Sequence, residues 1–452
     1  MSTATAKKSL PPFPEEKHWL FGSGYLLRER TVDQVKFFIE KYGEVVSLSL
    51  PFNRVAIAAN PDYARYILLD NSKNYTKSLA YDILKLLLGN GLLTSEGDFW
   101  RQQRRLIAPA FHRKKLEQLT AEMIELTEQA VQRLKTQAGK EVDMALDMTD
   151  LTLQIISKAM FSSAVDEKAA LVGKQITLLN EYSIEKLNQP IRLPAAFPTP
   201  FNIRERKAIN ILNDVIYDII NARRKGDSKD DLLSMLIEAR DEDTGEAMDD
   251  RQLRDEVMTI FIAGNETTAN AMAWTLYLLS QSPEAEAKMI KEIDEKLDAG
   301  IRLDFNTVQS FQYVRMVIDE SMRIYPPAWS VGRRNIEEDE IGGYRIEKGT
   351  NVLIPIIYFH HSEKYWDEPM KFKPERFAPE NKHNIDRFVY FPFGSGPRTC
   401  IGNNFALLEM QIILILFYRN LRFKLKDGFK VEMDPLITLR PKNGMVMEVQ
   451  PR

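Results

Sequence analysis

One cysteine, Cys400, occurs in the 452 residues. A lone cysteine excludes an intramolecular disulfide, a disulfide-stapled secreted scaffold and a zinc site built of cysteines alone. Taken by itself, such a residue reads as a small buried apolar side chain. The five histidines (His18, His112, His360, His361 and His383) never fall in HExxH spacing, which argues against a zinc hydrolase. Excess charge is also lacking: 61 Lys and Arg meet 64 Asp and Glu for a net charge of -3, so nothing global points to nucleic acid. No apolar run reaches the length of about 18 residues needed to span a bilayer; the longest lies near Met410–Tyr418. Met1–Glu16 is polar and proline-rich, without the apolar core of a signal peptide, and is expected to be flexible. A cytoplasmic location is therefore expected. His18–Leu27 carries an apolar patch broken by Gly22 and Gly24, the one place suited to a peripheral membrane contact. No internal repeat or low-complexity tract occurs. No flavin or nicotinamide glycine fingerprint occurs either, since the paired glycines near a helix start, Gly394 and Gly396, sit beside Cys400.

What is present is ample apolar material, 44% of the residues, for a large core. The first hundred residues mix helix and strand. Val45–Leu50 and Arg54–Ala58 flank the Pro51–Asn53 turn and predict a hairpin. Helical patterns follow over Trp100–Leu106, Lys114–Ala138 and Met148–Phe161. Asn188–Phe201, with Pro190, Pro194, Pro198 and Pro200, breaks helix. A charged loop, Asp241–Asp250, leads into a long apolar helix ending near Ser280. Short strands and turns occupy the stretch from Pro326 to about Pro374, a helix follows Cys400, and the tail beyond Phe423 reads as strands. The fold class expected is mainly α with a minor β portion.

Phe391–Gly402 reads FPFGSGPRTCIG, so Phe393, Gly396, Arg398, Cys400 and Gly402 fit F-x-x-G-x-R-x-C-x-G. Five fixed positions match by chance roughly once in 10^7 windows. A haem iron that cleaves dioxygen needs an anionic axial ligand, and a cysteine thiolate supplies one. Cys400 stands just before the helical run Asn403–Arg419, whose N-terminal dipole favours an anion. Gly396 and Gly402 let the backbone approach a cofactor, and Arg398 is placed to meet a carboxylate such as a haem propionate. The segment resembles the haem-binding loop of the cytochrome P-450 superfamily, and four further motifs extend the resemblance over nearly the whole chain in the family's order.

The first is Ala263-Gly264-Asn265-Glu266-Thr267-Thr268 at the centre of the long helix. A glycine and two β-branched residues weaken a helix interior, by roughly 1 kcal/mol for the glycine alone, and such breaches mark functional sites. Ala263 and Gly264 leave room for a flat cofactor. The segment resembles the family's A-G-x-[DE]-T-[TS] motif, whose acid and alcohol, here Glu266 and Thr267, relay protons to bound dioxygen. The alternative reading is a Glu and a Thr satisfied within a buried helix.

The second and third motifs are Glu320-x-x-Arg323 and the Pro374-Glu375-Arg376-Phe377 element. By resemblance Glu320, Arg323 and Arg376 form a structural network that holds the fold and the haem loop. The fourth is Trp100-x-x-x-Arg104. The resemblance implies that Trp100, Arg104, Arg398 and an arginine after the double proline meet the propionates. Arg333 fits that last place better than Arg334.

The resemblance implies a single cytochrome P-450 domain over residues 1–452, with a long central helix over a non-covalent haem b (iron protoporphyrin IX). It implies a monooxygenase that inserts one oxygen atom of O2 into a lipophilic substrate. The spacing GNGLLTSEGDFWRQQRR with glutamate in AGNETT looks closer to fatty-acid and lipid hydroxylating members, while a terpenoid-like substrate stays open. The loop Leu84–Leu93 is expected over the haem with Leu93 towards the iron. Phe261, Ala263, Ala328, Trp329, Leu436 and Ile437 are further pocket candidates, the Asn188–Phe201 segment a mobile roof, and Arg54 a partner for a substrate carboxylate. The chain ends about fifty residues after Cys400, so electrons from NAD(P)H are expected through a separate ferredoxin or flavodoxin-type donor and its reductase. Arg101, Arg104, Arg105, Arg113, Lys114 and Lys115 form a basic patch suited to an acidic donor. A monomer without nucleic-acid partner or integral membrane segment is expected. Two rival readings keep the same fold: an enzyme that uses peroxide or rearranges a hydroperoxide, and a non-catalytic haem sensor or carrier.

Overall fold

The structure is a computed structural model and describes all residues except 1–7, 16–22, 24–30, 51–52, 163–170, 172–174, 176–177, 180–181, 183–196 and 227–228. The apolar patch at His18–Leu27 and most of the Asn188–Phe201 roof therefore lie outside the described residues. The chain forms two compact units. The first comprises Met1–Asp82, Met322–Phe372 and Pro379–Cys400, the second Ile83–Ser321, Lys373–Ala378 and Ile401–Arg452.

The first unit is built on a five-stranded sheet. Its strands are β1 (Val45–Leu50), β2 (Asn53–Ala58), β3 (Tyr75–Lys77), β4 (Val331–Asn335) and β5 (Asn351–Ile354), in the order β1-β2-β5-β4-β3. The expected hairpin is present as an antiparallel β1–β2 pair, with Leu50 opposite Asn53. The two-residue period of a strand sends alternate side chains to opposite faces. Val46, Leu48 and Ile57 pack on Val35, Phe38 and Ile39 of helix α1 (Thr31–Tyr42). Val45, Ala56 and Ala58 face the other way, into a cluster with Ile67, Phe359 and Phe391. The N-terminal lead-in is not free throughout. The Ser9 carbonyl accepts from the Arg345 N–H and that of Pro12 from the Ser47 N–H, at 2.9 and 2.8 Å, which ties this stretch to the strands.

The second unit is mostly helical. Its principal helices are α2 (Gly97–Ile107), α3 (Arg113–Lys135), α4 (Met144–Phe161), α5 (Pro200–Arg224), α6 (Asp250–Ser280) and α7 (Pro283–Asp298). Helix α8 (Gln312–Ile324) ends before Pro326, and α9 (Asn403–Asn420) follows the cysteine. The 31-residue α6 starts where the Asp249 side chain accepts from the Gln252 N–H. It is buried on nearly every side and packs most extensively on α4. Two of its threonines satisfy their hydroxyls by bonding back one turn, Thr267 to the Ala263 carbonyl and Thr275 to the Ala271 carbonyl, each at 2.7 Å. The tail forms β6 (Leu421–Leu425), the hairpin β7–β8 (Met433–Pro435 and Leu439–Pro441) and β9 (Val446–Pro451), which pairs with β6. No described helix is long and apolar enough to cross a membrane.

Candidate active site

The cysteine loop belongs to the first unit and is held by its own backbone. The Cys400 N–H donates to the Phe393 carbonyl at 2.9 Å, and the Thr399 N–H and hydroxyl both donate to the Gly396 carbonyl. Gly396 is fixed twice over: its φ is +74°, and a Cβ there would lie 2.0 Å from the Leu68 carbonyl oxygen. A side chain is therefore excluded sterically as well as conformationally. These constraints present Cys400 as an exposed thiol that is in no disulfide. Arg398 and Phe393 lie half-buried in the same loop. Arg333 is buried on β4 and donates to the Gly332 carbonyl, whereas Arg334 is engaged at 3.1 Å with the Gly349 carbonyl. Both arginines thus already donate to a backbone carbonyl.

In the second unit, Ala263 is exposed at the middle of the otherwise buried α6, and Gly264 and Thr267 are partly exposed beside it. The Thr267 hydroxyl donates to the Ala263 carbonyl at 2.7 Å. Gly264 serves helix packing: a Cβ there would meet Ile156 Cδ1 of α4 at 3.3 Å. Glu266 accepts from the Thr438 hydroxyl at 2.6 Å, and Thr438 accepts from Asn270 at 3.1 Å. Burial raises the Glu266 carboxyl above its ordinary range, against the Thr438 bond and the nearby Arg440.

Trp100 is buried on α2, with the Arg104 guanidinium 5.9 Å from its ring centroid. Gly402 caps α9, and its pro-side-chain direction meets only Phe111, at 3.8 Å. Glu320 is fully buried and accepts from the Lys373 N–H at 2.9 Å and Arg376 Nε at 3.3 Å. Arg323 donates to the His360 and Pro369 carbonyls at 2.7 and 2.6 Å, with Trp366 beneath its guanidinium.

The remaining expected site residues lie as follows. Phe261 is buried against Phe161, ring centroids 5.8 Å apart, and Trp329 is buried with its carbonyl accepting from the Ile357 N–H. Both therefore pack within the interior of their own units. Leu93, Ala328 and Leu436 are half-buried and Ile437 is exposed. Arg54 is paired with Glu347. The basic patch is largely neutralised. Arg101 pairs with Asp98, Arg105 with Asp241 and Asp243, and Arg113 with Glu117, while Lys115 is buried against Asp230. Sequence reasoning missed Asn270, Thr438, Asp255 and Glu256. The last two were legible as adjacent acids inside an apolar helix.

The features of each unit, taken separately, suit haem. An accessible thiol in a rigid loop fits an axial ligand. A small exposed helix face fits a flat ring, and the guanidinium groups fit its carboxylates.

The family model described as Cytochrome P450 matches residues 11–447. The chain is 32% identical over 421 residues to cyclooctat-9-en-7-ol 5-monooxygenase of Streptomyces melanosporofaciens, covering 90% of each chain. It is 31% identical over 435 residues to the chloroplastic protein LUTEIN DEFICIENT 5 of Arabidopsis thaliana, covering 91% of this chain and 72% of that one. The crystal structure of the cytochrome P450DA haem domain superposes with a TM-score of 0.90 at 25% identity, over 99% of this chain and 98% of that chain.

Proposed function

The chain belongs to the cytochrome P450 family and is a monooxygenase of it, and from that premise we propose that it oxygenates a lipophilic substrate, fatty-acid or terpenoid-like, with electrons from a separate ferredoxin or flavodoxin-type donor. The observation that carries this reading is the exposed Cys400 thiol at the end of a hydrogen-bonded loop. Haem, when bound, would supply the activation of dioxygen, and Cys400 would hold its iron through the thiolate. In the first unit Arg398 and Arg333, and separately in the second Trp100 and Arg104, would be the residues to meet haem propionates. Ala263 offers a face without bulk. Glu266, its carboxyl raised by burial and bonded to Thr438, would hold a proton for relay, and Thr267, its hydroxyl bonded to the Ala263 carbonyl, would pass it on. Leu93, Ala328 and Leu436 give the substrate apolar contact.

The Streptomyces relative, by its name, oxygenates an unsaturated cyclic alcohol at position 5. That supports a neutral ring substrate, as does the engagement of Arg54 with Glu347.

The test is the visible spectrum of dithionite-reduced protein under carbon monoxide, for wild type and Cys400→Ala. A strongly red-shifted Soret band in wild type, lost in the variant, is expected. Haem-replete, folded wild type without that band would overturn the assignment of Cys400. Spin-state titrations with dodecanoic acid and a cyclic terpenoid alcohol then separate the two substrate classes. Turnover requiring NAD(P)H, donor and O2 together separates the monooxygenase from peroxide-driven chemistry.

A further inference from the structure

The loop between residues 89 and 95 lies on α6 in the second unit. It is closed on itself: the Thr94 hydroxyl donates to the Gly89 carbonyl at 2.8 Å, and the Thr94 and Ser95 N–H groups donate to the Gly91 carbonyl. The small loop therefore moves as one piece. Its attachment to α6 runs through two carboxylates. The Asn90 N–H donates to Asp255 Oδ2 at 2.7 Å, and the Leu92 N–H donates to Glu256 Oε2 at 2.8 Å. The fit is close: a Cβ on Gly91 would lie 2.2 Å from Thr259 Oγ1 and 2.6 Å from the Asp255 carbonyl oxygen.

Asp255 already has a partner, Arg254, at 2.9 Å. Glu256 differs. It is fully buried, and its second oxygen, Oε1, has no hydrogen-bond partner among the described residues. A buried carboxyl with one partner is costly unless that partner matters to the structure. It stands two helical turns, about 10 Å along the axis, before Ala263 on the same face.

We infer that Glu256 is a positioning residue: by accepting from the Leu92 N–H it latches the loop that carries Leu93 against α6. It thereby sets how Leu93 borders the reaction face. The placing of Leu93 in the substrate pocket rests on the function proposed above; the latch itself does not.

The test compares Glu256→Leu, which keeps bulk and loses the acceptor, with Glu256→Gln, which keeps a neutral acceptor. Amide hydrogen exchange of the full chain is followed in peptides covering residues 89–95. Loss of one buried hydrogen bond is expected to speed exchange at Leu92 about tenfold in Glu256→Leu, with Glu256→Gln at the wild-type rate. Gly91→Ala, which displaces the loop sterically without touching the carboxyl, is expected to speed the same amides. Exchange at Leu92 unchanged in Glu256→Leu, or equally fast in both Glu256 variants, overturns the inference. On the haem-loaded protein, the association rate of 4-phenylimidazole, a small iron ligand, is expected to rise severalfold in Glu256→Leu and not in Glu256→Gln. An unchanged rate in Glu256→Leu overturns the positioning role. Protein that takes up no haem at all would instead overturn the proposed function, and the exchange comparison would still decide the latch.

Discussion

Gly396 and Gly394 share the cysteine loop and a positive φ, +74° and +72°, but differ in what surrounds them. A Cβ at Gly394 meets nothing within 4 Å, whereas one at Gly396 lies 2.0 Å from the Leu68 carbonyl oxygen. Gly394→Ala should therefore cost only the left-handed backbone term, about 1 kcal/mol. Gly396→Ala adds displacement of a backbone carbonyl and should cost at least twice as much, roughly 2 kcal/mol or more. Thermal unfolding midpoints of the two variants check this ordering, and equal midpoints would contradict it. Glu256 offers a second test at this scale. Burial pushes its carboxyl up to about 8, with the Leu92 N–H opposing and Asp255 adding to the rise. Unfolded, the group ionises near its ordinary value of 4.5. Its contribution to stability is thus complete below that value and is lost as pH rises through about 8. Glutamine cannot ionise. The melting temperature of Glu256→Gln should accordingly fall less between acid and alkaline pH than that of wild type, and should exceed it above the folded value. Parallel pH slopes for the two proteins would show that Glu256 does not titrate in this way.

Helix α6 shows what a pattern can and cannot reveal. Its span follows from the Asp249 cap and the unbroken apolar run, and both are visible without coordinates. The direction of each small residue is not. Gly264 turns towards Ile156 of α4, while its neighbour Ala263 is exposed. Gly264→Ala should gain roughly 1 kcal/mol of helix propensity, offset in part by the contact with the flexible end of Ile156. We expect a melting temperature at or slightly above wild type and full haem uptake. Ala263→Leu should keep the fold and lower the carbon monoxide band. If instead Gly264→Ala lost haem and Ala263→Leu retained it, the helix face would be assigned wrongly. The partner of Glu266 was equally illegible: Thr438 lies 172 residues further on, in the β7–β8 turn, and no spacing rule joins the two. Phe261 stands only two residues from Ala263, but two residues turn a helix by about 200°, and Phe261 packs into Phe161. Local pattern identifies the buried helix; tertiary packing decides which of its sides is open.

Over the whole chain, the mainly helical class with a minor β portion and the order of the motifs were readable, because both rest on contiguous residues. The charge distribution was not, because ion pairs join distant segments. Arg105 looked free in the sequence and is bound by Asp241 and Asp243; Lys115 looked exposed on α3 and is buried against Asp230. Of the six basic residues of this region, Arg101, Arg105, Arg113 and Lys115 all have acidic partners, so their fields largely cancel beyond a few ångströms. Steering by a concentrated patch raises association rates by about 10- to 1,000-fold at low salt and falls steeply as salt is added. A neutralised surface cannot produce that slope. With a separate acidic ferredoxin as donor, the second-order rate of reduction should change less than about tenfold between roughly 0.01 and 0.3 M salt. Stopped-flow reduction under carbon monoxide measures it directly. A fall of about a hundredfold over the same range would mean that these pairs open on docking and that the basic face is used after all. A shallow slope would place donor selection in short-range fit, since a net charge of -3 on 452 residues leaves little long-range field to do it.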